Sequence, residues 1–270
     1  MTDLLAQVLG LTQAWLLAGT LVFLRVGAAF LVLPAIGEAY IPMRIRLGAA
    51  LAMTLLLTPA LAADLVPDSG NPDRYAGHFA TEPVAGLLLG LAVRLVAMAL
   101  QIAGSMAAQA TSLSQIAGGA SPDPQPAIGA FLTLAGLTLA VMAGLHVLVA
   151  RLLIESYQVL PAGQMPLAGD VAGWGVARVG RVFSLAFSLA APFLIASVLY
   201  NLALGVINKA MPQLMVAFVG APAITAGALL FLLRCAPAAL LHWSGLLDEA
   251  LAAPIKEWQP PDFPDDSIPF

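Results

Sequence analysis

Long apolar runs alternate with short polar or proline-rich connections along the whole of this chain. Six runs stand out, at 14–36, 47–63, 84–110, 127–150, 182–208 and 210–233. Each is near the ~20 residues with which a helix crosses a hydrocarbon core of ~30 Å. The first is interrupted only by Arg25 and the third only by Arg94. The second is short and uncharged, the fourth holds only His146, and Lys209 alone separates the fifth from the sixth. All are too rich in Ala and Leu, and too long, to be barrel strands. The pattern predicts an all-α, polytopic membrane protein of about six long apolar helices.

Composition leads to the same solvent. Of 270 residues, 60% are hydrophobic and 10% charged, and the mean hydropathy is +0.93. Soluble domains carry about a quarter charged residues. A globule of this size in water could not hide so much apolar surface, so lipid or other apolar subunits must cover it. The net charge of −4, with no basic run, gives nucleic acid no electrostatic footprint. Cys235 is the one cysteine, which excludes an intrachain disulfide and a multi-cysteine zinc site and reads as a packed thiol. Met1-Thr2-Asp3 lacks the basic start of a cleaved signal peptide.

The connections differ in chemistry. Arg44 and Arg46 crowd the first, while 64–83 is net acidic, which argues for a cytoplasmic first loop. Arg151, Arg178, Arg181 and Arg234 favour neither face, and charge bias leaves the orientation open. Segment 155–174 is punctuated by Pro161, Gly163, Pro166 and further glycines, and the proline-rich acidic tail at 251–270 reads as extended or disordered. Segment 111–126 reads TSLSQIAGGASPDPQP between two long apolar runs. Gly118 and Gly119 permit unusual backbone angles, and Pro122, Pro124 and Pro126 deny regular helix. Non-helical backbone near a membrane sits at the surface, inside protein, or along a wet cavity.

Few residues invite chemistry. Carboxylates fall in termini, connections or run edges, whereas ion-coupled carriers place an acid at membrane depth. The His-Glu-x-x-His helix of an intramembrane metalloprotease is missing. Ser184, Ser188, Ser197 and His146 could be drawn into a serine-protease pair, but no motif singles them out. The chain is expected to be no enzyme and to need no cofactor or metal. Arg25 and Arg94 either snorkel at an interface or face polar groups of a neighbouring subunit. His146 reads as a neutral histidine at a run's end. Gly86 and Gly90 form a GxxxG that allows close helix approach, and Asn201, Asn208 and Gln213 are placed for hydrogen bonds between helices. Lys209 with Met211-Pro212 marks a turn, which makes a tight hairpin of the last two runs with Gly205 at its packed face.

The order of these features resembles the FliR family of the flagellar type III export gate. Arg44-Ile-Arg-Leu-Gly48 follows Pro42, and Glu82 precedes Gly86 and Gly90, as in that family. Gly144-Leu-His146, then Ser156 and Leu160-Pro-Ala-Gly163, are similar to its Asn-Gly-His and Leu-Pro-x-Gly features, with Ala143 in place of the usual Asn. The stretch from Tyr200 and Asn201 to Gly227 is very similar to its C-terminal hallmark, and Val219-Gly-Ala-Pro222 looks flagellar rather than of the virulence type. Thr111-Ser-Leu-Ser114 departs from a more usual Met-Gly-Leu-Ser.

The resemblance implies a FliP-like part over 1–175, a FliQ-like helical hairpin over 176–250, and FliP-, FliQ-, FlhB- and FlhA-like partners. Such a subunit sits in the bacterial inner membrane at the flagellar basal body and helps form the pore that conducts unfolded flagellar proteins. Many nominal spans would pack on other subunits rather than lipid. The resemblance also implies a plug of the closed pore, by position at 111–126: Ser112, Leu113, Ser114, Gln115 and Ile116, then Gly118 and Gly119, then Pro122, Asp123 and Pro124. A virulence-type gate subunit and a stand-alone small-molecule permease are the alternatives.

Overall fold

The computed structural model describes residues 2–65, 77–110, 127–210 and 216–252. Among them the regular structure is entirely helical, in seven helices: α1 (Thr2–Val32), α2 (Met43–Leu65), α3 (His78–Ala110), α4 (Ala127–Met142), α5 (Leu145–Val159), α6 (Ala168–Ala210) and α7 (Val216–Ala252). Five are long and apolar enough to cross a membrane by length and composition, and α4 with α5 makes a sixth if that bent pair counts as one span.

The boundaries depart from the apolar runs where local chemistry overrides hydropathy. Pro34 cannot continue a helix, so α1 ends at Val32 rather than reaching 36. Beyond it Ala35 takes a positive φ of 68° and the Gly37 amide folds back onto the Leu33 carbonyl at 2.7 Å. Arg44 and Arg46 lie in the first turn of α2, not in a loop. The run 127–150 is not one helix. It breaks at Gly144, whose φ of 92° is left-handed, and the pieces on either side are bent by 73°. The punctuated 155–174 segment is also shorter than expected, since α6 starts at Ala168 and carries Gly169, Gly173 and Gly175 within it. The last run begins later and ends later than 210–233, as α7 from Val216 to Ala252. The turn expected at Met211-Pro212 lies outside the described residues, as do the tail from 253 and segment 111–126.

The helices pack into two compact units. The first comprises Met1–Arg94, Gly144–Val176 and Asp248–Phe270, and the second Leu95–Ala143 and Ala177–Leu247. The first unit is built on α1, α2, the start of α3 and α5. Leu21, Val22, Phe30, Leu33, Leu57, Leu152, Leu153 and Leu251 are among its fully buried large apolar residues. In the second unit, Ala99 and Ala103 of α3 pack with Val182, Ala186 and Ala190 of α6. Such small residues let helix backbones approach where the surroundings offer no hydrophobic drive. Trp243 of α7 is wholly buried there, its indole N–H donating to the Val96 carbonyl at 2.9 Å.

Candidate functional site

Glu82, Gly86, Gly90 and Arg94 recur every fourth residue along α3, so they share one face of that helix. That face lies against α1. A methyl group on Gly86 would run into the Arg25 carbonyl, and one on Gly90 would stand 2.6 Å from the Ala29 carbonyl oxygen. Arg94 reaches the Val32 carbonyl at 3.4 Å and the Glu38 carboxylate at 3.2 Å. Successive positions of α3 thus meet successive positions of α1, and the two helices run parallel. The GxxxG allows close approach within this chain, and a charge closes each end of the seam.

At one end is a buried polar clamp. Arg25 is 1% exposed and Glu82 0%. The guanidinium grips the carboxylate in the paired-fork manner, Nε to Oε2 at 2.7 Å and Nη2 to Oε1 at 3.2 Å. Nη1 donates to the Ser156 hydroxyl at 3.0 Å and Nη2 to the Leu160 carbonyl at 2.8 Å. The Tyr157 ring covers the cation, 3.6 Å from its carbon. Leu160 ends α5, so its carbonyl has no later turn of helix to bond to. The cation therefore caps α5 while joining α1 to α3. A buried ion of this kind is tolerable only when its partners satisfy it almost completely, as they do here.

The loop after α5 is held from the other side. Gly163 has a φ of 80°, and a methyl group there would lie 2.5 Å from the His78 ring carbon. Glycine is thus required in Leu160-Pro-Ala-Gly163 twice over, by backbone angle and by contact with the start of α3.

Arg25 takes its partners from α3 and from α5 and its end, within its own chain. Arg94 is partly exposed but likewise binds its own chain through Glu38. Glu82 sits just before the apolar run 84–110, in the second turn of α3, and is buried opposite the body of α1. Above Arg94, Tyr40 has its phenol pushed above the ordinary value by desolvation and then by the Glu38 charge, with Arg94 opposing.

The remaining singled-out residues are dispersed. His146 is exposed on the first turn of α5. Asn201 lies on the outer part of α6, its amide donating to Ser197 Oγ at 3.3 Å on the same helix. Gly205 has no atom of the described residues within 4 Å of where its Cβ would be. Asn208 is near the end of α6, and Gln213, like the plug residues from Ser112 to Pro124, lies outside the described residues. Ser188 turns its hydroxyl to the Ser184 carbonyl of its own helix, and Ser197 turns to the carbonyl of Ala110 on α3. Among the described residues no three of His, Cys, Asp and Glu come together as metal ligands would.

This arrangement ties α1, α3 and α5 together. Its carboxylate has both oxygens engaged by the guanidinium. What the comparisons with known proteins add is lineage. A model of the bacterial export proteins, family 1, matches residues 16–250. The flagellar biosynthetic protein FliR of Caulobacter vibrioides is 35% identical over 204 residues, 75% of this chain and 81% of the relative. FliR of Bacillus subtilis is 28% identical, covering 80% and 84% of the two chains, and FliR of Escherichia coli is 28% identical, covering 74% and 76%. The matched residues reach into all seven described helices, and the chain belongs to family 1 of the bacterial export proteins.

Proposed function

We infer that this chain is a membrane-embedded subunit of the flagellar export apparatus, where it forms part of the gate through which unfolded flagellar proteins leave the cytoplasm. Family membership over 16–250 is the observation that carries the reading, because it spans the helical array and not one module. The chain's partners in this reading are FliP- and FliQ-like subunits, with FlhB- and FlhA-like components nearby, in the inner membrane at the basal body. It supplies a scaffold and no catalytic step.

The proportions of α6 favour a gate over a stand-alone permease. The candidate span within it, Ala168–Ile207, with Asp170, Arg178 and Arg181 in its first third, is 40 residues, about 60 Å of helix at 1.5 Å per residue. That is twice the ~30 Å of a hydrocarbon core. Phe183, Phe187, Ile195, Leu199, Leu202 and Val206 are exposed along it. Lipid cannot cover both ends of such a helix unless it tilts steeply, whereas neighbouring subunits can cover its whole length.

We further propose that 111–126 plugs the closed pore. Its two adjacent glycines and its prolines suit a segment that must yield to substrate. Deleting the gene in a flagellated host should stop secretion of hook and filament proteins while their cytoplasmic pools rise, and the parent gene should restore export. Undiminished export in the deletion strain would overturn the reading.

A further inference from the structure

The exposed face of α2 has the proportions that α6 lacks. Its candidate span, Met43–Ala62, is 20 residues, about 30 Å of helix, which matches the ~30 Å of a hydrocarbon core. Ala50, Thr54, Leu57, Thr58 and Leu61 are buried on one side of it, while Leu47, Leu51, Leu55 and Leu56 are exposed on the other. From Leu47 to Ala62 the only polar side chains are Thr54 and Thr58. Each hydroxyl donates to the carbonyl one turn back on its own helix, at 2.7 Å. The exposed side therefore offers a neighbouring subunit no polar group to hold, and lipid can cover it from end to end.

Arg44 stands where this face begins. Leu51 and Leu55 follow it on the same side of α2. Leu55 lies about 16 Å along the axis from Arg44, which is the depth of one leaflet, half of a ~30 Å core. Arg44 is exposed and, like Arg46, forms no ion pair among the described residues. The nearby acid is already engaged: the Glu38 carboxylate pairs with Arg94 at 3.2 Å, and Arg46 donates to the Glu38 carbonyl at 3.0 Å. Arg46 Nε is buried and has no partner among the described residues. Arginines in the first turn of a helix also oppose its dipole, so an anion beside them relieves both. Tyr40, Met43 and Ile45 are exposed at the same corner and supply the aromatic and apolar surface of a membrane–water boundary.

We propose that this face of α2 is a phospholipid site, in which Arg44 binds the phosphate of an anionic lipid and Leu51 and Leu55 line one of its acyl chains. Arg46 adds to the positive field from the first turn. The site rests on the chain's place in a membrane and not on its role in a gate.

The test is native mass spectrometry of the chain, purified with its co-expressed partners and released from nanodiscs of equal parts phosphatidylglycerol and phosphatidylcholine. The parent should retain phosphatidylglycerol in preference to phosphatidylcholine. One basic side chain near an anionic surface changes such a preference about fivefold, so Arg44→Gln should lower it about fivefold and Arg44→Lys should keep it. Arg151→Gln, which removes an exposed arginine of α5, should leave it at the parent's value. A photo-reactive amino acid in place of Leu55 should label lipid in the host's membranes. Equal retention by Arg44→Gln and the parent, or an equal loss from Arg151→Gln, would overturn the site while leaving the chain in its membrane. A protein adduct at position 55 would overturn it too, by showing that a subunit covers the face. A chain that washes off membranes without detergent would remove the membrane reading and the site together.

Discussion

A charge buried among apolar helices is the most consequential single-residue choice in this protein. Arg25 within a membrane helix costs about 2.5–3.5 kcal/mol on insertion scales when left alone, and Glu82 offsets that only because both carboxylate oxygens meet the guanidinium. Breaking one partner of such a pair is far worse than losing both, since the survivor stays buried and uncompensated. We expect Arg25→Leu alone, or Glu82→Leu alone, to destabilise the folded chain by about 3–5 kcal/mol. The double variant should recover most of the loss. Abundance in membranes and thermal unfolding of the purified complex both read this, and single variants as stable as the double would refute it. Two glycines make a second contrast. Gly86→Ala forces a methyl group into the Arg25 carbonyl and should displace α1 from α3, whereas Gly205→Ala meets open space among the described residues. The first should therefore cut membrane abundance sharply and the second leave it unchanged. A Gly205→Leu variant that folds normally but fails to join its partners would place Gly205 at a subunit contact and not at a contact within this chain.

Helix limits were legible wherever hydropathy and charge alone decide them, and illegible where backbone geometry decides. The apolar runs revealed the long helices because lipid-facing helices need continuous apolar length. They concealed the break at Gly144 because Met142 to Leu145 is apolar on both sides and only a φ of 92° marks the bend. They also hid the start of α6, since Gly169, Gly173 and Gly175 read as loop punctuation when propensity is weighed without the packing that overrides it. The α1–α3 seam was half visible: Glu82, Gly86, Gly90 and Arg94 each drew notice separately, and their shared four-residue spacing was the signal that joins them. The family resemblance marked Ser156 and Leu160 but not what they bond, and nothing pointed to Tyr157, because their role depends on α5 arriving from far along the sequence. A left-handed residue other than glycine costs about 1–2 kcal/mol. Gly144→Ala should accordingly lower the unfolding temperature of the complex by several degrees without changing its composition. An unchanged transition would show that the bend relaxes and that the positive φ is not held.

At the scale of the whole molecule, several helices outrun any bilayer and present apolar faces over much of their length. The account is that these surfaces exist to meet other subunits, and that the chain is an element of an assembly. Small and polar groups on such helices are poorly served by lipid, so the isolated chain should aggregate or be degraded. On the plug reading of 111–126, substitution of Asp123 by Asn should leave closed-state conductance of the assembled complex nearly unchanged, because one charge contributes little to a steric block. The most direct test of the central claim is affinity purification of the tagged chain in mild detergent, with and without co-expressed FliP- and FliQ-like proteins, followed by native mass spectrometry. The account predicts a single complex containing all three proteins, and a yield of the chain that falls steeply when either partner is withheld. A monodisperse monomer recovered in equal yield without partners would contradict it.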